Sequence, residues 1–302
     1  MQYTVVIGGG TGLVGSRLAE LLVADGHEAR ILSRSPERVT GHPAFAWDTD
    51  RGYVDPAALA GATHVVNLAG AGIADARWTD DRKALIISSR TLTTDLLSAA
   101  IREHGSEVRA YVSASAIGYY GDAGEDWCRE DDPPGDGFLS ESTVAWEEAV
   151  RQLAGATGLR TCMLRTGIAL SPGGGALAKM LPPARLGVSG YFGSGRQWFS
   201  WIHLDDLCRA YVAALADEAY EGPVNAVAPT PVRGKTFARV LAEAVPNPAV
   251  ALPVPAVGLR LALGEMAHTV LDSARVSSTR LVDRLGFDFA YADARAALDD
   301  LL

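Results

Sequence analysis

The chain has 302 residues, of which 48% are hydrophobic and 21% charged, so it can bury the core of one large domain, or of a large and a small one. Its formal charge of -9 argues against a nucleic-acid partner, because proteins that track phosphates concentrate Lys and Arg on one face.

The cysteines and the hydropathy pattern indicate the kind of cellular compartment in which the chain works. Cys128, Cys162 and Cys208 are odd in number, widely spaced and without a Cys-x-x-Cys pair, which argues against a disulfide framework and a zinc site. The six histidines also lack the i, i+4 spacing of a zinc-binding helix, so no metal is expected. No run approaches the ~18 to 20 consecutive apolar residues that cross a bilayer. We therefore expect a cytoplasmic protein with no membrane partner.

A short apolar run at residues 3–7 leads into a glycine-rich turn and then into the helical pattern of residues 16–24. A phosphate-binding turn needs glycines because the backbone must bend tightly and approach a pyrophosphate closely, while the helix start points its N–H groups at the anion. Gly9, Gly12 and Gly15 occupy these three places, although a tight turn without a ligand is the alternative. The expected cofactor contacts are Gly9, Thr11, Gly12, Leu13, Val14 and Gly15.

The second predicted strand, residues 28–32, ends at Ser33 and Arg34, where dinucleotide folds place the residue that reads the adenosine ribose. An NAD site has a carboxylate there, which would repel the 2′-phosphate of NADP, whereas an Arg and a hydroxyl bind that phosphate. Ser33 and Arg34 therefore predict NADP(H) as the cofactor, the alternative being that Arg34 is a solvated loop charge.

The third predicted strand, residues 64–68, ends in small residues that let the backbone contact the bridging phosphate and ribose of a cofactor. Leu68, Ala69 and Gly70 are the candidate contacts. An amphipathic helix is predicted at residues 78–90, and Arg90 within it either reaches an anion or faces solvent.

A strand predicted at residues 109–112 runs into a serine-rich segment and a Tyr-Tyr-Gly turn. Hydroxyl groups at the carboxyl end of such a strand, beside a nicotinamide, are placed for carbonyl chemistry. Ser115 is expected to hydrogen-bond a substrate oxygen, and Tyr119 or Tyr120 to supply a proton. Structural packing is the alternative for these tyrosines, because most aromatic side chains belong to the core.

Loops of the second half are predicted to close over the nicotinamide end of the sheet. Lys179 and Arg196 are candidates for binding an acidic or phosphorylated small-molecule substrate, and Trp198 for stacking on a ring; a solvated loop with a buried aromatic anchor is the alternative. The expected division is a cofactor-binding domain at residues 1–170, its sheet completed by parts of 198–230. Substrate loops and a small C-terminal cap are expected at residues 171–197 and 231–302.

Together the motifs resemble the extended short-chain dehydrogenase/reductase superfamily, and within it the epimerase/dehydratase branch, over nearly the whole chain. They are the glycine turn at 9–15, Asn-Leu-Ala-Gly at 67–70, the serine-rich strand and Tyr-Gly turn at 113–121, Leu-Arg-Thr-Gly at 164–167 and Trp-Ile-His-Leu-Asp-Asp at 201–206. The resemblance implies an α/β fold with a Rossmann-type doubly wound parallel sheet and a smaller C-terminal substrate region. Superfamily habit also favours a homodimer.

A narrower resemblance is to an atypical subgroup of epimerase-family proteins of unsettled activity, some labelled cell-division inhibitors, with a small C-terminal domain. It rests on the pairs at 77–78 and 89–90 and on the motifs at 115–121, 179–183 and 201–203. This pattern implies cofactor contacts at Ser33, Arg34, Leu68, Ala69 and Arg90, which favours the anion role of Arg90. Ala71 departs from it, since the subgroup usually has Glu there.

The usual catalytic pair of the superfamily, Tyr-x-x-x-Lys, is missing from the chain. In ordinary members the lysine lowers the pKa of the tyrosine and binds the nicotinamide ribose, so that the phenol exchanges a proton with the substrate. Here Lys83, Lys179 and Lys235 are the only lysines, and the residues four positions earlier are Thr, Gly and Pro. The helix expected to carry the pair, around residues 138–148, contains neither Tyr nor Lys.

Two classes of function follow as hypotheses. The first is an NADP(H)-dependent oxidoreductase acting on a carbonyl or hydroxyl carbon, with Ser115 orienting the oxygen. A nucleotide-sugar epimerase or dehydratase ranks below it, because an epimerase recycles a retained cofactor and usually uses NAD. The second class is a nonenzymatic NADP(H)-responsive protein whose cofactor orders the C-terminal cap, a hypothesis motivated by the missing Tyr-Lys pair.

Overall fold

Strands and helices alternate along the first half of the chain in the computed structural model, which describes residues 2–302. The strands are β1 (Thr4–Gly8), β2 (Glu28–Ser33), β3 (Ala44–Asp48), β4 (Tyr53–Val54), β5 (His64–Asn67), β6 (Ala110–Ala116), β7 (Trp127–Cys128), β8 (Arg160–Thr166), β9 (Ile168–Ser171), β10 (Val188–Phe192), β11 (Trp198–Phe199), β12 (Trp201–His203), β13 (Gly222–Ala226), β14 (Val232–Arg233), β15 (Val250–Val254) and β16 (Arg275–Val276). The helices are α1 (Leu13–Ala24), α2 (Asp80–His104), α3 (Phe138–Thr157), α4 (Gly175–Arg185), α5 (Leu204–Ala216), α6 (Gly234–Ala244), α7 (Ala256–Leu263), α8 (His268–Leu271) and α9 (Ala294–Leu301).

The central sheet has eight strands in the order β13-β8-β6-β5-β1-β2-β3-β4. Neighbouring strands are parallel, except that β4 is antiparallel to β3. The chain runs outward from β1 to β4 and then returns to β5 on the other side of β1, so the strand order reverses between β1 and β5. In open α/β sheets a ligand binds in the crevice that such a reversal leaves at the carboxyl ends of the strands. The predicted doubly wound parallel sheet is confirmed.

Helix α2 extends to His104, whereas the sequence pattern predicts a helix over residues 78–90 only. Its start is fixed by Thr79, whose side chain accepts a hydrogen bond from the backbone N–H of Arg82 at 3.2 Å, and by acidic residues in the first turn. Its end coincides with Gly105, whose N–H bonds the carbonyl of Ile101. The helix therefore spans the stretch from the β5 end back to the start of β6.

Helix α2 is also long and apolar enough to cross a membrane, by length and composition alone. Within the protein, 39% of its most apolar window is buried, and Leu97 and Ile101 belong to the core on one face of the sheet. The core helix of a water-soluble protein meets the same criterion, so this property is weak support for a membrane span.

Apolar side chains cover both faces of the sheet. On one face α1 and α5 contribute Leu18, Leu22 and Tyr211 to a core with β1 and its neighbours. On the other face α2 and α3 contribute side chains that include Trp146 and Val150. Fully burying one such aliphatic side chain stabilises a fold by roughly 1.5 to 3 kcal/mol, so these layers fix the strand ends that meet at the crevice.

A separate apolar cluster lies beside the sheet, formed by α4, α6 and α9. It contains Leu177, Phe237 and Leu298, all fully buried. The proline-rich stretch of residues 246–255 contains β15, which pairs in parallel with β10 next to this cluster. The division into a cofactor domain and a cap stays a prediction.

All three cysteines are free thiols buried in the protein. Burial raises the pKa of Cys128 to about 11 and the pKa of Cys162 and of Cys208 to about 12. Because the thiolate is the reactive form, these side chains are poor nucleophiles at neutral pH.

Asp206 ties the C-terminal segment to the start of α5. Its fully buried carboxylate accepts hydrogen bonds from the backbone N–H groups of Ala290 at 3.0 Å and Tyr291 at 2.9 Å, and pairs with Arg209 at 2.7 Å. His203, the N-cap residue of α5, stacks on the ring of Tyr291 with 3.9 Å between ring centroids. The start of α5 thus holds the segment before α9, in addition to the apolar packing of α9 against α4 and α6.

Replacing Asp206 by Ala should lower the free energy of unfolding by about 1 to 3 kcal/mol, because two partly buried backbone N–H groups lose their acceptor and Arg209 loses its ion-pair partner. Equilibrium unfolding in urea measures this change. Asp288→Ala is the matched control, since Asp288 is exposed on the same C-terminal segment and should change stability by no more than about 0.5 kcal/mol. An equal loss in both variants would contradict the anchoring role of Asp206.

Candidate functional site

The glycine turn after β1 is a position where side chains do not fit. Gly9 has a φ of +76°, and a Cβ there would lie 2.8 Å from the backbone carbon of Leu68. A Cβ on Gly15 would overlap the carbonyl oxygen of Gly9 and lie 2.6 Å from the Cα of Gly10. The turn therefore packs backbone against backbone, which brings α1 close to the ends of β1 and β5.

The start of α1 has the properties of an anion site. Gly12 is its N-cap residue and supplies no side-chain cap, and the first turn holds no acidic residue. The first N–H groups of a helix lack intrahelical partners, and the helix dipole adds positive potential at this end. An uncapped start beside a glycine turn is the arrangement that binds phosphate in nucleotide-binding folds.

At the end of β2 the structure leaves two groups available for a second phosphate. Ser33 accepts a hydrogen bond from the backbone N–H of Ser35 at 3.1 Å, which leaves its own proton free to donate. Arg34 is exposed and has neither an ion pair nor a side-chain hydrogen bond with any of residues 2–302. Because β2 lies next to β1, both residues stand on the same sheet edge as the glycine turn.

Asn67 shapes the turn after β5. It is fully buried; its Oδ1 accepts from the N–H of Ala69 at 3.1 Å, and its Nδ2 donates to Thr93 of α2 at 3.3 Å. These bonds hold Leu68, Ala69 and Gly70 in a turn against the glycines that follow β1. The predicted backbone contacts at the two strand ends are therefore adjacent in space.

Arg90 projects from α2 toward the same crevice. Its Nη1 donates to the carbonyls of Ile86 at 2.8 Å and Ala71 at 3.1 Å, and its guanidinium lies 5.0 Å from the ring centroid of Trp146. Burial and the charge of Arg82 lower the pKa of Arg90 to about 10. No carboxylate of the described chain pairs with it, so a ligand anion would supply the missing counter-charge.

A cavity of about 560 Å³ extends from the glycine turn, the start of α1 and Arg90 to the carboxyl ends of β6 and β8. Among the described residues, the sequence-predicted ones in its wall are Gly9, Gly12, Leu13, Val14, Gly15, Leu68, Arg90, Ser115 and Trp198. The predicted residues outside this wall are Thr11, Ser33, Arg34, Ala69, Gly70, Tyr119, Tyr120, Lys179 and Arg196. The structure thus gathers the turn, one arginine, the serine and one tryptophan around a single space.

Ser115 belongs to a buried polar network on the floor of this cavity. Its Oγ donates to Oε1 of Glu147 at 2.7 Å. The same carboxylate receives a two-pronged contact from Arg165, with Nε to Oε1 at 2.7 Å and Nη2 to Oε2 at 2.9 Å. Glu147 and Arg165 are each 1% exposed. Burial alone would lower the pKa of Arg165, but its hydrogen bonds and charge interactions with Glu147 and Tyr120 together outweigh burial and raise that pKa.

Both tyrosines predicted as proton donors pack against Arg165 in this buried network. Tyr120 donates from its hydroxyl to Oδ1 of Asn225 at 2.7 Å and accepts from Nη1 of Arg165 at 3.0 Å, and burial raises its pKa well above the ordinary value. The ring of Tyr119 lies 3.5 Å below the guanidinium carbon of Arg165. Neither tyrosine reaches the cavity wall, so this geometry does not support the expected proton donation by Tyr119 or Tyr120.

The predicted substrate residues of the second half lie at different depths. Trp198 is in the cavity wall, and the guanidinium carbons of Arg233 and Arg275 lie 3.8 and 4.2 Å from the centroid of its ring. Lys179 on α4 and Arg196 on the loop before β11 are exposed. Their substrate role stays a prediction.

The structure adds site residues that the sequence pattern did not single out. Glu147 and Arg165 lie in segments noted for other reasons, one in the helix lacking the Tyr-Lys pair and one in Leu-Arg-Thr-Gly. His268 and Asp272 reach the cavity wall from the C-terminal segment, with 2.8 Å between Nδ1 and Oδ1. No local signal joins such distant parts of the chain.

Replacing Glu147 by Gln should lower the free energy of unfolding by about 2 to 4 kcal/mol, because Arg165 would keep its buried charge without a counter-ion. Urea unfolding checks this loss. Glu148→Gln provides the matched control one residue away, since the Glu148 side chain is 54% exposed and its ion pair with Arg151 is a surface one. Equal free energies of unfolding of the two variants would contradict the stabilising role assigned to the buried pair.

Comparison with known proteins places this site in context. The model of the NAD dependent epimerase/dehydratase family matches residues 5–226, and a domain of unknown function, DUF1731, matches residues 254–301. The epimerase family protein MT2273 of Mycobacterium tuberculosis is 39% identical over 295 residues, which are 97% of this chain and 96% of the relative. These matches span both the main sheet and the C-terminal segment.

Two solved structures resemble the chain over its whole length. The structure of human epimerase family protein SDR39U1 with NADPH has a TM-score of 0.86 and 32% identity, covering 100% of this chain and 99% of that one. The nucleoside-diphosphate sugar epimerase from Corynebacterium glutamicum has a TM-score of 0.79 and 35% identity, covering 100% of this chain and 58% of that one.

Proposed function

The chain belongs to the NAD dependent epimerase/dehydratase family, and we propose that it is an NADP(H)-dependent oxidoreductase acting on a carbonyl or hydroxyl carbon of a small molecule. The observation that carries this proposal is Arg90, a partly buried cation without a carboxylate partner, in the same cavity as an uncapped helix start and Ser115. A dinucleotide phosphate fits the first two groups, and a substrate oxygen fits the third.

The side chains present suit NADP(H) in particular. The glycine turn and the start of α1 would hold the pyrophosphate, and Ser33 and Arg34 would hold the 2′-phosphate. No acidic side chain occupies the end of β2, where one would repel that phosphate. The NADP(H) prediction agrees with the NADPH in the structure of the human relative.

When bound, NADPH supplies a hydride for carbonyl reduction. The chain itself supplies orientation and exclusion of water: Leu13, Leu68 and Ile168 line the cavity with apolar surface, and Ser115 presents its hydroxyl at the carboxyl end of β6. Such a dry wall strengthens the polar contacts made inside it. Lys179, Arg196 and Trp198 are proposed to bind the rest of an acidic or phosphorylated substrate. The cytoplasmic location and the homodimer also stay predictions.

A nucleotide-sugar epimerase is the second candidate, favoured by the likeness to the Corynebacterium glutamicum epimerase. The two functions differ in whether the reaction consumes the cofactor. A reductase converts one NADPH for each product molecule, whereas an epimerase leaves the amount of each cofactor form unchanged.

Replacing Arg34 by Ala should weaken NADPH binding about 10- to 100-fold and leave NADH binding nearly unchanged, because only the charge-assisted contact with the 2′-phosphate is lost. Calorimetric titration with both nucleotides measures this difference. In Arg90→Met both affinities should fall together, since the pyrophosphate is common to the two. Arg51→Ala is the control, an exposed arginine on the β3–β4 turn. Equal losses for NADPH and NADH in Arg34→Ala would contradict the assignment.

Replacing Ser115 by Ala should slow NADP-dependent oxidation of alcohols by about 100-fold, because the side chain that orients the substrate oxygen is lost. The rate is followed by the appearance of NADPH absorbance with a panel of primary and secondary alcohols. The NADPH affinity of the variant should stay within about twofold of the wild-type value, because Ser115 is proposed to contact the substrate and not a phosphate of the cofactor. Turnover at the wild-type rate in this variant would rule out the role given to Ser115.

A further inference from the structure

One part of the cavity wall carries hydroxyl groups whose protons already have acceptors within the protein. Ser115 donates to Glu147, while Ser142 and Thr143 donate to the carbonyl of Leu139 at 2.9 and 2.8 Å. All three hydroxyl residues line the cavity. Because a backbone carbonyl or a carboxylate can only accept, the direction of each bond follows from its chemistry. Toward the cavity these groups therefore offer lone pairs.

The direction is most firmly held at Ser115. Both carboxylate oxygens of Glu147 accept hydrogen bonds from Arg165, and Oε1 also accepts from Ser115 in a buried hydrogen bond of 2.7 Å. Turning the Ser115 proton toward a ligand would break that bond. At Ser142 and Thr143 the acceptor is a helix carbonyl, and those hydroxyls turn at lower cost.

We propose that Glu147 fixes Ser115 as a hydrogen-bond acceptor toward the cavity, so that the site binds the alcohol form of its substrate in preference to the carbonyl form. Glu147 acts here as a positioning residue, and Ser115 is the group that touches the ligand. The inference rests on the proposed function and adds to it which member of the redox couple the pocket prefers. A carbonyl oxygen facing Ser115 would meet a lone pair, whereas an alcohol O–H would meet its acceptor.

The position of Glu147 explains how this polarity arises. It lies on α3, the helix expected to carry the superfamily's Tyr-Lys pair, and the chain has Thr143 and Glu147 four residues apart there. Tyr and Lys both donate hydrogen bonds at neutral pH, whereas an ionised Glu only accepts. On this helix, therefore, Ser115 faces an acceptor, the Glu147 carboxylate, where ordinary members of the superfamily have two donors.

The test compares matched pairs of probes, 1-phenylethanol with acetophenone and cyclohexanol with cyclohexanone. Each alcohol is titrated into protein saturated with NADPH and each ketone into protein saturated with NADP, so neither reacts, and dissociation constants come from NMR line shifts. We expect the ratio of ketone to alcohol dissociation constants to fall about 10- to 100-fold from wild type to Ser115→Ala. Comparing this ratio between proteins cancels the different desolvation of the probes and the different cofactors.

Two further variants distinguish the loss of the Ser115 hydroxyl from a change in side-chain packing. Ser115→Thr keeps the hydroxyl and should keep most of the alcohol preference, while Ser88→Ala removes a hydroxyl bonded to a helix carbonyl outside the cavity and should leave the ratio unchanged. An unchanged ratio in Ser115→Ala, a Ser115-dependent preference for the ketones, or binding of neither probe would each overturn the inference. Failure of the proposed function is seen separately, as absence of NADPH binding or of NADP-dependent alcohol oxidation in the wild type.

A direct measurement of the proton position completes the test without any turnover. Neutron diffraction from deuterium-exchanged crystals should show the Ser115 deuterium between Oγ and Oε1 of Glu147. Deuterium on the cavity side of Oγ would overturn the inference even if the alcohols bind more tightly.

Discussion

The ion pair between Glu147 and Arg165 is the interaction on which the arrangement of the site depends. It connects α3 with β8, and through Arg165 it reaches the Tyr120 hydroxyl and the carbonyl of Glu130. The side chain of Glu130 in turn accepts from the backbone N–H of Asn225 on β13. A buried charge pair is costly to assemble, and it is tolerated where its remaining hydrogen-bonding groups are also satisfied. Here the surrounding donors and acceptors meet that condition, and the same carboxylate controls Ser115.

The cofactor half of the site obeys a different physical rule. It is made from backbone: glycines that allow close approach, a helix start without a cap, and a strand end closed by Asn67. Such a site selects for phosphate groups by geometry and dipole rather than by a particular side chain. We propose that Ser33 and the exposed Arg34, at the end of β2, add the selectivity between dinucleotides.

This difference explains what could be predicted from the sequence. The glycine turn, the order of strands and the carboxyl-end positions of Leu68 and Ser115 follow from local pattern, and the structure gathers them at one crevice. Glu147 on a helix and Arg165 on a strand are 18 residues apart in sequence, and nothing in either segment indicates their contact. His268 reaches the cavity because the segment that follows it is hydrogen-bonded to distant parts of the chain, through Ser273 to Asp122 and through Ala274 to Ser200. Tyr119 and Tyr120 follow the serine closely in sequence, but their turn directs them into the Arg165 network.

The burial of all three thiols determines how this chain responds to thiol chemistry. With Cys128, Cys162 and Cys208 inside the fold and held as neutral thiols, peroxide and electrophiles find no reactive cysteine on this chain. Cysteine oxidation therefore gives the folded protein no switch, and a thiol-modifying reagent would have to wait for the fold to open before it could react.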